Sequence, residues 1–158
     1  MKLEEIRLLK QSDKSLVLLM RDENTEQLFI QKTLQGRHTI YEMLKSTSHP
    51  YLPRVYEVSF SDDTTTVIEE YIEGSLLAQA KLDEKAACTA MKELCDALQF
   101  LHEKGFIHRD IKPYNIILAK DGHIRLIDFD AARMIKEDSE RDTRLLVSQG
   151  YSPPEQYG

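Results

Sequence analysis

Between positions 110 and 128 the chain places four polar groups that could act together: Asp110, Lys112, Asn115 and Asp128. They lie among the apolar residues Ile116, Ile117, Leu118, Ile124, Leu126 and Ile127. Charge buried beside such strands is costly unless an ion or ligand compensates it. Two carboxylates with an amide oxygen suit a hard cation such as Mg²⁺, which prefers oxygen ligands. On residue chemistry alone the stretch reads as a metal–phosphate site on a strand–loop–strand frame.

The order of these residues is also specific. His108-Arg109-Asp110-Ile111-Lys112-Pro113-Tyr114-Asn115 matches H-R-D-L-x-x-x-N with Ile111 for Leu, and Asp128-Phe129-Asp130 matches D-F-G except at its last position. The stretch therefore resembles the catalytic core of eukaryotic-type Ser/Thr protein kinases, and the resemblance extends along most of the chain. It implies that Asp110 is the base for the substrate hydroxyl and that Asn115 and Asp128 hold Mg²⁺ and, through it, ATP. It implies that Lys112 neutralises the moving γ-phosphoryl group; a lysine at this position favours Ser/Thr over Tyr. His108 reads as a packing residue. Asp130, in place of glycine, either biases the following segment to one pose or adds an oxygen near the metal.

The elements that must position these groups follow from patterning. Leu16–Met20 and Leu28–Ile30 are short apolar runs separated by a charged turn at 21–26, which predicts a hairpin in a β-rich start. Lys32 closes the second run. A lone lysine there is usually a surface residue; the resemblance makes it the lysine that holds the ATP α- and β-phosphates. The region matching the family's glycine-rich loop, Leu9–Leu16, contains no glycine. It is either a tight polar turn or a loop whose serines and lysine offer donors to phosphate.

Residues 37–48 predict a short helix, with Ile40, Met43 and Leu44 on one face and His49-Pro50 ending it. The family carries a lysine-pairing glutamate on this helix. Glu42 is the acid available; it either pairs with Lys32 through a shifted register or sits on a solvated face. Thr64–Tyr71 is β-branched and strand-like, and with Ile72-Glu73-Gly74 it resembles the hinge whose backbone, around Glu70 and Ile72, pairs with adenine. Glu69 falls at the back of the adenine pocket, a usually apolar position. Residues 83–104 predict the strongest helix: Asp83 caps it, Gly105 closes it, and Ala87, Met91, Leu94, Leu98 and Leu101 form an apolar stripe. Cys88 and Cys95 lie on it and read as reduced core thiols.

Residues 131–158 correspond to the activation segment. Ser139 and Thr143 are phosphorylation candidates, with Arg109 the natural partner for an added phosphate. Ser148 and the P-P-E run ending at Glu155 resemble the peptide-binding loop.

Composition narrows the class. At 158 residues and 41% hydrophobic the chain is able to bury one core, and a net charge of −6 argues against a general nucleic-acid binder. No basic-then-apolar leader opens it and no apolar run approaches ~20 residues, so the expectation is no membrane span and a cytoplasmic location. Together these readings predict an α+β, kinase-like two-lobe fold: a β-rich N-lobe at 1–70, a hinge at 71–74, and an incomplete, mainly helical C-lobe at 75–158. The expected activity is transfer of the γ-phosphoryl group of ATP, with Mg²⁺, to a Ser/Thr hydroxyl of a protein. Further helices of the family's C-lobe have no counterpart before Gly158, so the expectation is a natural short form, a fragment or a truncated product, whose open apolar surface takes a partner or a second copy. The alternative is a pseudokinase or nucleotide-binding interaction module.

Overall fold

β-Branched and alternating apolar residues make the amino-terminal part of the chain a sheet. The computed structural model describes residues 1–135; Ser139, Thr143, Ser148 and Glu155 lie outside the described residues. The chain divides into two compact units, one of Met1–Ser48 with Pro53–Tyr71, the other of His49–Leu52 with the chain from Ile72 onward. Residues 49–52 thus belong with the second unit although they lie within the first in sequence.

In the first unit, β1 (Leu3–Gln11), β2 (Ser15–Asp22) and β3 (Leu28–Gln35) are followed by helix α1 (Ile40–Ser46), β4 (Val55–Ser61) and β5 (Thr64–Glu70). The sheet order is β1-β2-β3-β5-β4, and every pairing is antiparallel. Alternation gives the sheet two distinct faces. One carries a core of Met20, Phe29 and Ile68, with Leu3, Leu18 and Tyr56 packed against it. The other carries Leu19, Val67, Lys32 and Glu69, all buried. Helix α1 is shorter than the segment 37–48 and buries Ile40, Tyr41 and Leu44. Its approach is anchored by Thr65, whose hydroxyl donates to the Gly36 carbonyl at 2.6 Å and accepts from the His38 N–H at 3.0 Å.

The second unit holds β6 (Gly74–Leu76), α2 (Glu84–Glu103), β7 (Phe106–Ile107), β8 (Ile116–Ala119), β9 (Ile124–Leu126) and β10 (Arg133–Met134). Strands β6, β8 and β9 form one sheet and β7 pairs with β10. Asp83 caps α2 by accepting the Ala86 N–H at 2.8 Å, and Gly105 (φ +87°) ends it in the left-handed conformation that a glycine adopts without strain. The buried stripe of α2 is Ala90, Glu93, Leu94, Ala97 and Leu101. Met91 is 54% exposed and both cysteines are exposed, which corrects the expectation that they are core residues. Small alanines, rather than the long Met91, face the packed side. Among the described residues no helix is long and apolar enough to cross a membrane.

Candidate functional site

The loop between β7 and β8 brings two of the expected residues, Lys112 and Asn115, to the carboxylate of a third, Asp110. A 3-10 turn at Pro113–Asn115, started by Pro113, brings the amide of Asn115 back toward Asp110. Asn115 Nδ2 donates to the Asp110 carbonyl at 2.9 Å and to its carboxylate Oδ2 at 3.0 Å. Lys112 Nζ lies 3.7 Å from the same Oδ2. Asn115 is 6% exposed, so its hydrogen bonds form away from water and fix its orientation.

His108 ties this loop to the strand that leads to Asp128. Its ring accepts the Asp110 N–H at Nδ1 (3.2 Å), which leaves Nε2 to donate to the Ile127 carbonyl at 3.1 Å. The Ile127 N–H in turn donates to the Asn115 carbonyl at 2.8 Å. His108 is 1% exposed, and burial pushes its imidazole below the ordinary histidine range, against the hydrogen bond to Ile127 and the charges of Asp128 and Asp110. The ring is therefore a neutral brace, packed edge-on against the fully buried Phe129 at 5.4 Å. Arg109 (φ +72°) and Asp128 (φ +60°) both occupy the left-handed region, uncommon for side chains other than glycine. Such positions cost roughly 1–3 kcal/mol each and persist where surrounding bonds over-determine them. Asp128 Oδ1 accepts the Asp130 N–H at 3.2 Å, a local turn that Asp130 supports without being glycine.

The donor set suits Mg²⁺. With Nδ2 of Asn115 committed to Asp110, its amide oxygen is the acceptor left for a cation, and Asp128 adds a carboxylate. Among the described residues no three His, Cys, Asp or Glu side chains form a dedicated metal group. Mg²⁺ in general keeps several waters and takes one or two protein oxygens plus substrate phosphates.

In the first unit, Lys32 is where the sequence places it, on β3 and 9% exposed, but its acid is not on the helix. Lys32 Nζ pairs with Glu69 Oε1 at 2.8 Å, whereas Glu42 is exposed on α1. One residue along a helix turns the side chain by about 100°, so burying Tyr41 directs Glu42 outward. Of the two readings of Glu42, pairing with Lys32 is corrected and the solvated face is the one observed. Strand alternation puts Glu69 on one face with Val67, and the register that sets Lys32 opposite Val67 brings the pair together.

The segment in place of a glycine-rich loop is a tight polar turn: Ser12 N–H donates to the Ser15 carbonyl at 2.8 Å, and Ser12 Oγ accepts the N–H groups of Lys14 and Ser15 at 3.3 and 3.2 Å. Glu70 ends β5 with its N–H donated to the Arg54 carbonyl at 2.8 Å and its carboxylate accepting the Arg54 N–H at 3.0 Å. Ile72 opens the second unit's main segment.

A family model described as "Protein kinase domain" matches residues 5–157, and the chain belongs to that family. It is 37% identical over 150 residues to Serine/threonine-protein kinase ppk22 of Schizosaccharomyces pombe, covering 84% of this chain and 28% of that protein. To Flippase kinase 1 of Saccharomyces cerevisiae it is 33% identical over 165 residues, covering 93% of this chain and 18% of the relative. To Serine/threonine-protein kinase D of Synechocystis it is 32% identical over 143 residues, with 85% and 28% covered. The chain thus spans less than a third of the length of these relatives. Protein kinases as a family use ATP with Mg²⁺.

Proposed function

We propose that this chain carries the ATP- and Mg²⁺-binding and phosphoryl-transfer groups of a protein serine/threonine kinase. The observation that supports it most is the convergence of Asn115 and Lys112 on the Asp110 carboxylate, at 3.0 and 3.7 Å. Asp110 takes the proton of the substrate hydroxyl as that oxygen bonds to the γ-phosphorus. The bond from the γ-phosphorus to the β,γ-bridging oxygen breaks, and ADP leaves with the electron pair. Lys112, beside Asp110, carries positive charge toward the transferring group. Asn115 and Asp128 would hold Mg²⁺, which when bound neutralises phosphate charge. Lys32 holds the α- and β-phosphates, and the backbone near Glu70 and Ile72 takes the adenine edge. The substrate is a protein bearing Ser or Thr, as the names of the Schizosaccharomyces pombe and Synechocystis relatives state for those proteins.

A second reading, a nucleotide-binding module without transfer, is favoured by the 12–15 turn, in which the N–H groups of Ser12, Lys14 and Ser15 are already engaged within the turn. Incubation with γ-labelled ATP, Mg²⁺ and a basic protein separates the two. Labelled protein that falls by about 10²-fold or more with Asp110→Asn supports the kinase reading. Equal labelling by both forms overturns it. A thermal upshift with MgATP, lost in Asp128→Ala but without any transfer, selects the binding module.

A further inference from the structure

We propose that Glu69 is the positioning residue of Lys32, so that the lysine is held by the register of the sheet rather than by the placement of α1. The proposal rests on the reading of Lys32 as the phosphate-holding lysine. Strands β3 and β5 pair with Lys32 opposite Val67 and Ile30 opposite Glu69. Directly opposed residues share a face, so Lys32 and Glu69 are diagonal neighbours within reach of long side chains. Nζ and Oε1 meet at 2.8 Å as an ion pair, with both residues less than a tenth exposed.

What α1 offers Lys32 is an aromatic ring. The lysine nitrogen lies 5.9 Å from the centroid of Tyr41, which is fully buried, while the neighbouring Glu42 is exposed. The second oxygen of Glu69, Oε2, is buried with no hydrogen-bond partner among the described residues. A half-satisfied buried carboxylate is a poor stabilising device, because an apolar side chain of similar size fills such a position at lower cost. Its value lies in what Oε1 does, which is to hold the ammonium group in one place. A strand partner fixed by ladder hydrogen bonds does this without any movement of the helix.

Two measurements on the full chain test this. Glu69→Gln preserves volume and removes the charge. Without nucleotide, acylation of the Lys32 amine, followed by peptide mass spectrometry, should accelerate several-fold relative to the other lysines, because acylating reagents attack only the neutral amine. Glu42→Gln should leave the rate as in the native chain. An unchanged rate in Glu69→Gln, or an acceleration in Glu42→Gln instead, overturns the assignment. Displacement of a fluorescent nucleotide by MgATP gives the second readout. Glu69→Gln should weaken MgATP binding about tenfold in the native background and not at all in a Lys32→Met background; equal loss in both means that Glu69 acts otherwise than through Lys32. If Lys32→Met binds MgATP like the native chain, the phosphate role of Lys32 has failed and this positioning role falls with it, whereas the acylation rates still report the pairing by itself. Glu69→Met carries the same expectations should Glu69→Gln not fold.

Discussion

The buried imidazole of His108 accepts the backbone N–H of Asp110 at 3.2 Å, so the position of the proposed base depends on a histidine that stays neutral. Burial lowers the folded-state pKa of His108 below the ordinary histidine value. The unfolded chain therefore takes up the proton first as pH falls, and stability is lost progressively below about pH 6.5. His49, lowered by its own burial, acts in the same direction. Thermal denaturation should show a lower midpoint at pH 5.5 than at pH 7.5. His108→Gln should reduce that difference while lowering the midpoint at pH 7.5, and an undiminished difference would contradict the role given to this ring.

Asn115→Leu removes both amide bonds to Asp110 together with one proposed metal oxygen. Phosphoryl transfer should fall by roughly 10²-fold or more, with α2 and the sheets intact by circular dichroism. Asn115→Asp retains an oxygen but replaces the donor with a second negative charge beside Asp110. It should recover metal dependence poorly and raise the Mg²⁺ concentration needed for half-maximal transfer.

The Lys32–Glu69 pair also makes a stability prediction. Removing one partner leaves an uncompensated buried charge, which typically costs about 3–5 kcal/mol. Urea denaturation of Lys32→Met should show a loss of that order, and Lys32→Met with Glu69→Leu should recover most of it. A double variant as unstable as the single one would mean that the two side chains do not share their energy.

Gly74 is required by packing. A Cβ there would lie 2.2 Å from the Leu118 carbonyl oxygen, backbone against backbone in the β6–β8 ladder. Gly105, by contrast, has open space around it and only a positive φ to satisfy. Gly105→Ala should cost about 1 kcal/mol, and Gly74→Ala clearly more, as read from chemical denaturation midpoints.

Much of this was legible in the sequence because the informative residues are local. The spacing within His108–Asn115 dictates a loop that folds back on itself, and Asp83 and Gly105 mark the ends of α2 within a residue. What was not legible depends on contacts between strands distant in sequence. Glu69 stood out only as an acid in an apolar position, since its partner lies on another strand and register decides whether they meet. Likewise, periodicity identified α2 as amphipathic but set its buried stripe around Met91, because hydrophobicity alone does not register that Ala90 and Ala97 permit closer approach.

The carbonyl of Tyr51 accepts the N–H of Leu126 at 2.9 Å, and the ring of His49 lies 4.9 Å from that of Phe100. The two units are therefore not two consecutive lengths of polypeptide. A fragment beginning at Ile72 would contain every motif from His108 to Asp128 yet leave the amide of a fully buried leucine without an acceptor, at a cost of about 1–3 kcal/mol. Proteolysis or recombination at the 71–72 boundary thus parts the stretch from His108 to Asp128 from four residues of its own unit that lie upstream.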